Sequence, residues 1–513
     1  MYSYEKQISV EQQTYDVIVV GGGSAGICAA IASARKGAKT LLVEDTGWLG
    51  GIGTTAAMVE FGPIVRGGLR VVGGIPYELM QRMRSFGGAE LRDETEDLLF
   101  APETFAHVAM LMCEEAGVEM LLHTRMIDTL REGDAITGVI LQDKEGMRVV
   151  SAKIYIDCTG DGDLFFNTGL PYGIGRDSDG NVQPMTLVFF VNDVDYAKFL
   201  TEAGGTTGEY LDKFFTGLVA KAKADGRFHI PIVRPGSTGP VPRYGRPYDL
   251  HRCEVFINGT NILYKNGLSG KDLTEAECTT RKQIYEMYAF LRDYVPGFEN
   301  CYISYVSSCI GIRETRRLHG AYVLTKEDLH TGKKFADTIA VGFNMIDIHQ
   351  VSGHDFDLTH FADGHYYSVP YRSLISNELT NLLVAGRCMS VTHEALGAIR
   401  VMVNTMPIGE AAGTAAAIAA KDGCGVAQVD TAKLQQALKD GGMITKSEGE
   451  KLLAFCNNSG PLFILGAVGS GMLFDRQCGV VLYAAHILSA FTSALLMRRV
   501  KCEFAEKSRE NLR

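Results

Sequence analysis

The stretch of residues 15–44, YDVIVVGGGSAGICAAIASARKGAKTLLVE, restricts the fold of this chain more than any other. Residues 16–20 are a short apolar run of the kind that forms a strand buried on both faces. Residues 25–36 are rich in alanine and lack proline, which favours a helix. Residues 39–43 are a second apolar run. The stretch therefore predicts the strand–turn–helix–strand unit of an α/β domain.

A glycine motif, G-x-G-x-x-G, joins the first strand to the helix, and its glycines are Gly21, Gly23 and Gly26. The first allows a tight turn, the second lets the backbone approach a pyrophosphate, and the third lets the helix pack closely. The N–H groups at the start of the helix, at Ser24 and Ala25, are placed to bind phosphate. Glu44 ends the second strand, where a carboxylate binds ribose hydroxyls. The unit predicts a dinucleotide site, and the alternative is a glycine turn in an ordinary α/β domain.

A second glycine-rich segment, DTGWLGGIGTT, follows Glu44. A domain that binds only a nicotinamide nucleotide usually has no need of it. An extended FAD molecule does need it, because backbone must pass close beside the cofactor beyond the pyrophosphate. A flexible loop is the alternative interpretation.

Two later segments are predicted to return to the same site. Residues 153–162, KIYIDCTGDG, read as a central strand that ends in a glycine turn, and ligands of open α/β sheets bind at such strand ends. We expect Cys158 in this turn to be a small buried residue rather than a nucleophile. Residues 381–385 are another buried strand, followed by an alanine-rich helix. The N-terminus of that helix is placed to stabilise the negative charge of a reduced flavin.

Composition limits the classes of function. A chain of 513 residues can bury a large core and should contain two or more domains. The net charge of −10, with no long basic run before the last twenty residues, makes nucleic acid an unlikely partner. The twelve cysteines form no C-x-x-C pair, which argues against a metal site or disulfides and indicates a reducing cytoplasm. The polar N-terminus indicates no signal peptide.

Residues 175–369 lack a nucleotide motif and are predicted to form an inserted α+β substrate or cap domain. Two polar clusters lie near its end, GIRETRRL with Arg313 and Arg316, and DIHQVSGH with His349. Arginine can clamp a carboxylate and stabilise developing charge, and histidine can move a proton near neutral pH. His393 is a further candidate in the following segment. The alternative is a solvated charged face and a structural histidine.

The last residues, 443–513, are predicted to form a hydrophobic helical tail. An uncharged run that starts at Gly479 and ends at Met497 approaches the length of a membrane span, and three basic residues follow it. Membrane contact through this run is one interpretation. Buried helices or an oligomer contact are the other. The tail resembles the last part of bacterial integral membrane proteins with a nucleoside-transporter-like gate.

The GGGSAG unit, the GWLGG loop, the DCTGDGD turn and LLVAGRCMSVTHEALGAIRV…GEAAGTAAA together resemble the FAD-dependent oxidoreductase family of two-dinucleotide-binding-domain flavoproteins, over roughly residues 14–445. The family is related to fumarate reductase flavoproteins and heterodisulfide reductase flavin subunits. The close cysteine runs that bind iron–sulfur clusters in the latter are absent from this sequence. The resemblance implies non-covalent FAD, held also by Gly50, Gly51, Thr54, Gly160, Asp161, Gly386, Arg387 and Gly409.

The resemblance implies a Rossmann-like FAD-binding domain of residues 1–174 and 370–442. The sequence thus predicts an FAD-dependent oxidoreductase that transfers a hydride between flavin and a small organic substrate, with Arg313, Arg316, His349 or His393 orienting substrate or moving a proton. One alternative is a pyridine-nucleotide dehydrogenase with a simple Rossmann domain. The other is a flavin-binding electron-transfer subunit that works with a redox partner protein in a larger, membrane-associated complex. The expected location is the cytoplasm, with membrane association through the tail under the last alternative.

Overall fold

The computed structural model describes residues 8–66, 69–92, 97–205, 208–349, 356–362 and 364–442. The predicted tail, including residues 479–497, lies outside the described residues. Within them, no helix is long and apolar enough to cross a membrane. All the described residues belong to one compact unit, and the division into residues 1–174 with 370–442 and residues 175–369 stays a prediction.

The strands along the described residues are β1 (Ser9–Val20), β2 (Thr40–Val43), β3 (Val65–Arg66), β4 (Leu69–Arg70), β5 (Ala89–Leu91), β6 (Leu98–Phe100), β7 (Glu119–Leu121), β8 (Arg125–Glu132), β9 (Ala135–Gln142), β10 (Met147–Asp157), β11 (Tyr172–Ile174), β12 (Phe189–Val194), β13 (Thr238–Pro240), β14 (Cys253–Ile257), β15 (Tyr302–Val306), β16 (Arg316–Leu318), β17 (Thr338–Gly342), β18 (Ile346–His349), β19 (Phe356–Thr359), β20 (Tyr367–Pro370) and β21 (Leu382–Val384).

The α-helices are α1 (Ser24–Arg35), α2 (Gly74–Ser85), α3 (Pro102–Ala116), α4 (Asp163–Asn167), α5 (Tyr196–Ala203), α6 (Gly208–Ala224), α7 (Gly270–Tyr294), α8 (Lys326–Thr331), α9 (His393–Ile399), α10 (Met402–Asp422) and α11 (Thr431–Asp440). The β5–β6 hairpin separates α2 from α3.

The main sheet has the order β7-β2-β1-β10-β9-β8, and β21 pairs with β10. Strands β7, β2, β1, β10 and β21 run parallel, and β9 and β8 complete the sheet as an antiparallel meander. Val17 and Val19 of β1 point into one core and Ile18 and Val20 into another, because side chains alternate along a strand. Burial on both faces explains the continuous apolar run. The predicted α/β fold with a parallel sheet is confirmed.

The long strand β10 begins at Met147, six residues before the strand predicted within residues 153–162. Its first half pairs antiparallel with β9, while β1 pairs parallel with nearly all of β10, from Arg148 to Asp157, where Val20 lies opposite Asp157. No turn residue separates the two halves, so the chain continues through Ala152 without a break. One strand therefore carries the meander and also ends at the ligand edge of the sheet.

Residues 175–369 contain a four-stranded antiparallel sheet of order β13-β14-β12-β15. Phe189 and Val191 of β12 pack with helices of this region, including Phe215 of α6 and Phe290 of α7. Phe190, on the opposite face of the same strand, belongs to the core that contains α1 and α10. The sheet therefore connects α6 and α7 to the core of the parallel sheet.

Candidate functional site

The carboxyl ends of the parallel strands meet at one edge of the main sheet. The N–H of Gly21, which follows β1, donates to the carbonyl of Val43 at 2.8 Å. The N–H of Cys158 donates to the carbonyl of Val20 at 2.8 Å, and that of Ala385 to the carbonyl of Asp157 at 2.9 Å. The segments predicted to bind cofactor therefore leave the sheet side by side, at the edge where open α/β sheets bind ligands.

The glycines of the first turn have different surroundings. Gly21 has φ +99°, and a Cβ added there would lie 2.4 Å from the carbonyl oxygen of Cys158. A Cβ on Gly26 would lie 1.8 Å from the carbonyl oxygen of Gly21, so the helix packs directly on the turn. A Cβ on Gly23 would meet no atom within 4 Å. The open space at Gly23 fits a ligand that approaches the backbone.

The N-terminus of α1 opens onto this space. Gly23 is its N-cap and provides no side-chain hydrogen bond to the first turn, so the N–H groups there stay available. The hydroxyl of Ser24 lies 3.0 Å from that of Thr405 in the first turn of α10, and Ala25 is buried. The arrangement fits a pyrophosphate bound at a helix N-terminus.

The carboxylate of Glu44 lies against the glycine turn. Oε2 accepts a hydrogen bond from the N–H of Gly22 at 2.8 Å, and Oε1 accepts from the N–H and the hydroxyl of Thr46, both at 2.8 Å. A carboxylate has about four lone-pair sites, so an acceptor position remains for a ribose hydroxyl. Glu44 is therefore fixed where the sequence motif requires the acid.

The second glycine segment packs on the first. The N–H of Gly50 donates to the carbonyl of Gly22 at 2.8 Å, and Gly50 has φ +107°. A Cβ on Gly51 would lie 2.9 Å from Cα of Gly23. The buried hydroxyl of Thr54 donates to the carbonyl of Gly51 at 3.2 Å. The two glycine segments therefore form one continuous backbone surface, as a cofactor longer than its pyrophosphate requires.

The turn after β10 is tied to the end of β21 by an ion pair. Nη2 of Arg387 donates to Oδ1 of Asp161 at 2.8 Å. Gly160 has φ +77°, and a Cβ there would lie 2.9 Å from Nη2 of Arg387. Gly386, at φ +90°, turns the chain at the end of β21. Thr315, which the sequence analysis did not single out, donates to Oδ1 of Asp161 at 2.8 Å.

Asp157 is a second residue that the sequence analysis missed. Its buried carboxylate accepts hydrogen bonds from the N–H and the hydroxyl of Thr159 and from the N–H groups of Leu164 and Phe165, at 2.8–3.1 Å. Burial raises the pKa of Asp157 to about 6. These four hydrogen bonds stabilise the conformation of the glycine turn that follows β10. The sequence signal that could have identified it is a single aspartate at the end of an apolar strand, directly before C-T-G-D.

Gly409 lies in a contact between two helices. A Cβ on Gly409 would lie 2.1 Å from the carbonyl oxygen of Ala25, and a Cβ on Gly413 would lie 2.0 Å from that of Ala29. Both glycines of α10 therefore allow its backbone to touch α1. The contact of Gly409 with the flavin that the resemblance implies stays a prediction.

Arg313 is a partly buried side chain within residues 175–369. Its Nη1 donates to the carbonyl of Pro184 at 2.5 Å and to the hydroxyl of Thr186 at 3.0 Å. Burial and the nearby charge of Arg400 lower its pKa to about 9. A guanidinium stays protonated at neutral pH even so, which makes Arg313 a partly buried cation.

His349 lies in the same cluster. Its Nε2 is 3.5 Å from Oδ2 of Asp347, and Nη2 of Arg400 donates to the same oxygen at 3.0 Å. Burial and the charge of Arg313 lower the pKa of His349 to about 4, so the imidazole is neutral at neutral pH. Burial raises the pKa of Asp347, but His349, Arg400 and Arg313 outweigh it and hold the pKa below its usual range.

His393 and Glu314 form a buried pair beside this group. Nδ1 of His393, the first residue of α9, lies 2.8 Å and 2.9 Å from the two carboxylate oxygens of Glu314. The N–H of Gln183 donates to Oε2 of Glu314 at 3.2 Å, and Nε of Arg317 lies 3.5 Å from Oε1. Glu314 is part of the polar cluster GIRETRRL, but the sequence assigned it no role. Gln183 lies in no motif, so the sequence did not indicate it as a site residue.

Arg316 faces a different way from the other three candidates. Its Nη1 donates to the carbonyl of Asp161 at 3.0 Å and to Oδ1 of Asp163 at 2.9 Å. Its guanidinium also lies 3.9 Å from the ring centroid of Phe166. These contacts join β16, which begins at Arg316, to the turn after β10. They do not involve the cluster around Arg313.

Comparison with known proteins identifies the class. Residues 16–438 match the family described as FAD dependent oxidoreductase, and the chain belongs to that family. The protein is an FAD-dependent oxidoreductase. The open turn at Gly23, the uncapped N-terminus of α1 and the carboxylate of Glu44 fit FAD as its cofactor.

Two curated relatives each match part of the chain. Thiamine thiazole synthase of Methanococcus vannielii is 32% identical over 155 residues, which are 28% of this chain and 56% of that protein. Sporulation integral membrane protein YlbJ of Bacillus subtilis is 37% identical over 82 residues, 16% of this chain and 19% of that protein. The chain thus spans about half or less of these relatives.

Among solved structures, a geranylgeranyl bacteriochlorophyll reductase-like protein of Thermoplasma acidophilum is 14% identical, with 84% of each chain covered and a TM-score of 0.42. These values mark a distant likeness.

Proposed function

We propose that this oxidoreductase transfers a hydride between non-covalently bound FAD and a small organic substrate held beside Arg313, His349 and His393. The observation that carries the proposal is the course of residues 311–316. A Cβ on Gly311 would lie 3.4 Å from Ile52 in the second glycine segment, and Thr315 donates to Asp161. Arg313 and Glu314 lie between these two anchor points. The polar cluster is therefore carried by the segment that connects the two cofactor loops.

The cluster offers the functions that such a transfer needs from the protein. FAD supplies the hydride chemistry when it is bound, and the protein supplies binding, orientation and electrostatics. Arg313 provides a fixed positive charge in a partly buried site, where it stabilises negative charge that develops on the substrate. His349 is neutral and can accept or donate a proton. Glu314 holds Nδ1 of His393 and so fixes the orientation of that ring.

The test follows the visible flavin band of the holoenzyme under anaerobic conditions. Candidate organic donors are added to the oxidised protein, and candidate acceptors to protein reduced with dithionite. For a donor or acceptor that reacts, Arg313→Met and His349→Asn should each lower the rate by about 100-fold, a typical contribution of positioned charge or acid–base groups. Both variants should keep their FAD.

Arg316→Lys is the matched control, because Arg316 contacts the turn and an aromatic ring instead of the cluster. It should change the rate by less than about threefold, a shift well under 1.4 kcal/mol. Unchanged rates in Arg313→Met and His349→Asn would contradict the proposal. Electron exchange with a protein partner alone, with no organic donor or acceptor, would favour the electron-transfer subunit.

A further inference from the structure

Three side chains at the cluster bury N–H donors that form no hydrogen bond among the described residues, although Nε of Arg317 keeps its 3.5 Å ion-pair contact with Glu314. The donor atoms are Nε2 of Gln183, Nε of Arg400, and Nε and Nη1 of Arg317. Gln183 is 1% exposed and Arg317 is 4% exposed. A buried donor without an acceptor costs about 1–3 kcal/mol, and more when the group is charged. Such a concentration of unpaired donors indicates that an acceptor from outside the protein belongs here.

Gln183 connects the two halves of the cluster. Its backbone N–H donates to Glu314, and its Oε1 accepts from the backbone N–H of His349 at 3.5 Å. Because the amide oxygen of Gln183 accepts from that N–H, its other polar atom, Nε2, is the one that has no hydrogen-bond partner among the described residues. It therefore lies between the Glu314–His393 pair and the Asp347–His349 group.

The chemistry of the missing acceptor follows from the unpaired atoms. All are N–H donors, and two of the three side chains are cationic. The two carboxylates of the cluster already have partners, the buried Glu314 with His393 and the partly exposed Asp347 with Arg400. Three guanidinium groups, at Arg313, Arg317 and Arg400, thus face two carboxylates. A ligand that carries acceptor oxygens and a negative charge completes this set, and a planar carboxylate matches guanidinium and amide donors.

We propose that Gln183 is a specificity-determining residue, and that its Nε2, together with Nε of Arg400, binds the carboxylate group of a small organic acid. Arg313 and Arg317 contribute positive potential around that group. The inference rests on the proposed function, because it names the class of substrate at the same site. It needs no electron transfer of its own, so binding can be measured without turnover.

The experiment measures binding of acetate to the oxidised holoenzyme at constant ionic strength, by calorimetry and by the shift of the visible flavin band. Acetamide, which has a similar shape and no charge, is the comparison ligand. Wild-type protein should bind acetate at least about tenfold more tightly than acetamide. Gln183→Met should weaken acetate binding by about tenfold or more, as expected for a lost hydrogen bond to a charged group.

Gln436→Met is the control, because Gln436 is on α11 and donates only to the exposed Asp440. It should bind acetate as wild type does. Gln183→Glu keeps the acceptor for His349 and adds a negative charge, so it should bind acetate still less. This second variant keeps the test decisive if Gln183→Met does not fold.

Equal affinity for acetate and acetamide, or wild-type acetate binding in both Gln183 variants, would overturn the inference. So would a loss of FAD, instead of acetate, in the folded Gln183 variants, because the missing acceptor would then be the cofactor. If acetate binding depends on Gln183 while no organic compound exchanges electrons with the flavin, the carboxylate site stands and the proposed hydride transfer fails.

Discussion

Gly409 of α10 and Ala25 of α1 touch through their backbones, with the position of a Cβ on Gly409 only 2.1 Å from the carbonyl oxygen of Ala25. Ala25 is in the first turn of α1, next to the glycine turn. The contact therefore sets the distance between the glycine turn and the first turn of α10, where Thr405 meets Ser24.

Gly409→Ala should destabilise the holoenzyme by about 1–3 kcal/mol or more, because the added methyl group forces the two helices apart. The measurement is the free energy of unfolding in urea. Gly217→Ala is the matched control, since Gly217 is on an exposed part of α6 and a Cβ there meets no atom within 4 Å. It should stabilise the protein by about 0.5–1 kcal/mol. Equal effects would contradict the packing role of Gly409.

Glu410, the next residue along α10, should make stability depend on pH. Burial raises its pKa from 4.5 to about 8, while its Oε2 accepts a hydrogen bond from the N–H of Ile75 at 3.0 Å. The folded state thus binds the proton more tightly than the unfolded state. The contribution of Glu410 to stability is complete below pH 4.5 and is lost as the pH rises through 8.

Glu410→Gln keeps an acceptor for Ile75 and does not titrate. Relative to wild type, its free energy of unfolding should therefore rise between pH 4.5 and pH 8, by about 1.4 kcal/mol for each unit of pKa shift. Gly217→Ala, which changes no titratable group, should show a constant difference over this range. A constant difference for Glu410→Gln as well would show that the buried carboxyl has an ordinary pKa.

Glu44→Gln should weaken the binding of FAD by roughly tenfold or more, because a neutral amide is a poorer acceptor for hydroxyl groups than a carboxylate. The measurement is the dissociation constant of FAD from the apoprotein, followed by quenching of flavin fluorescence. Asp45→Asn is the control, since Asp45 forms an exposed ion pair with Arg125. Similar FAD affinity in Glu44→Gln and wild type would remove Glu44 from the cofactor site.

The unit of β1, the glycine turn, α1 and β2 could be predicted from the sequence, because its pattern lies within one short stretch of the chain. The sequence predicts strand, helix and strand at residues 16–20, 25–36 and 39–43. The bounds of α1 and β2 agree within one residue, and β1 ends at Val20 as predicted but begins earlier, at Ser9. The contacts that position the other cofactor-binding turns join residues from distant parts of the sequence. Thr315 and Asp161 are far apart in sequence, and only the folded chain brings their side chains within 2.8 Å.

The candidate active site was accessible only in part. Arginine and histidine have recognisable chemistry, so Arg313, His349 and His393 could be named as candidates. Sequence could not separate Arg316 from Arg313, because strand geometry and the position of Phe166 decide which way each side chain points. Gln183 lies in a segment without a motif. It is a candidate only because its Nε2 is a buried donor without a hydrogen bond among the described residues, and that requires the folded structure.

The most direct test of the account is the visible absorption spectrum of wild-type protein and of Gly23→Val. Wild-type protein should show the bands of oxidised flavin, and denaturation should release them as free FAD. Because a Cβ at Gly23 meets no protein atom within 4 Å, the variant should fold normally. Its side chain should fill the space needed by the pyrophosphate, so the variant should be colourless and take up no added FAD. Full flavin content in Gly23→Val would contradict the proposed cofactor site.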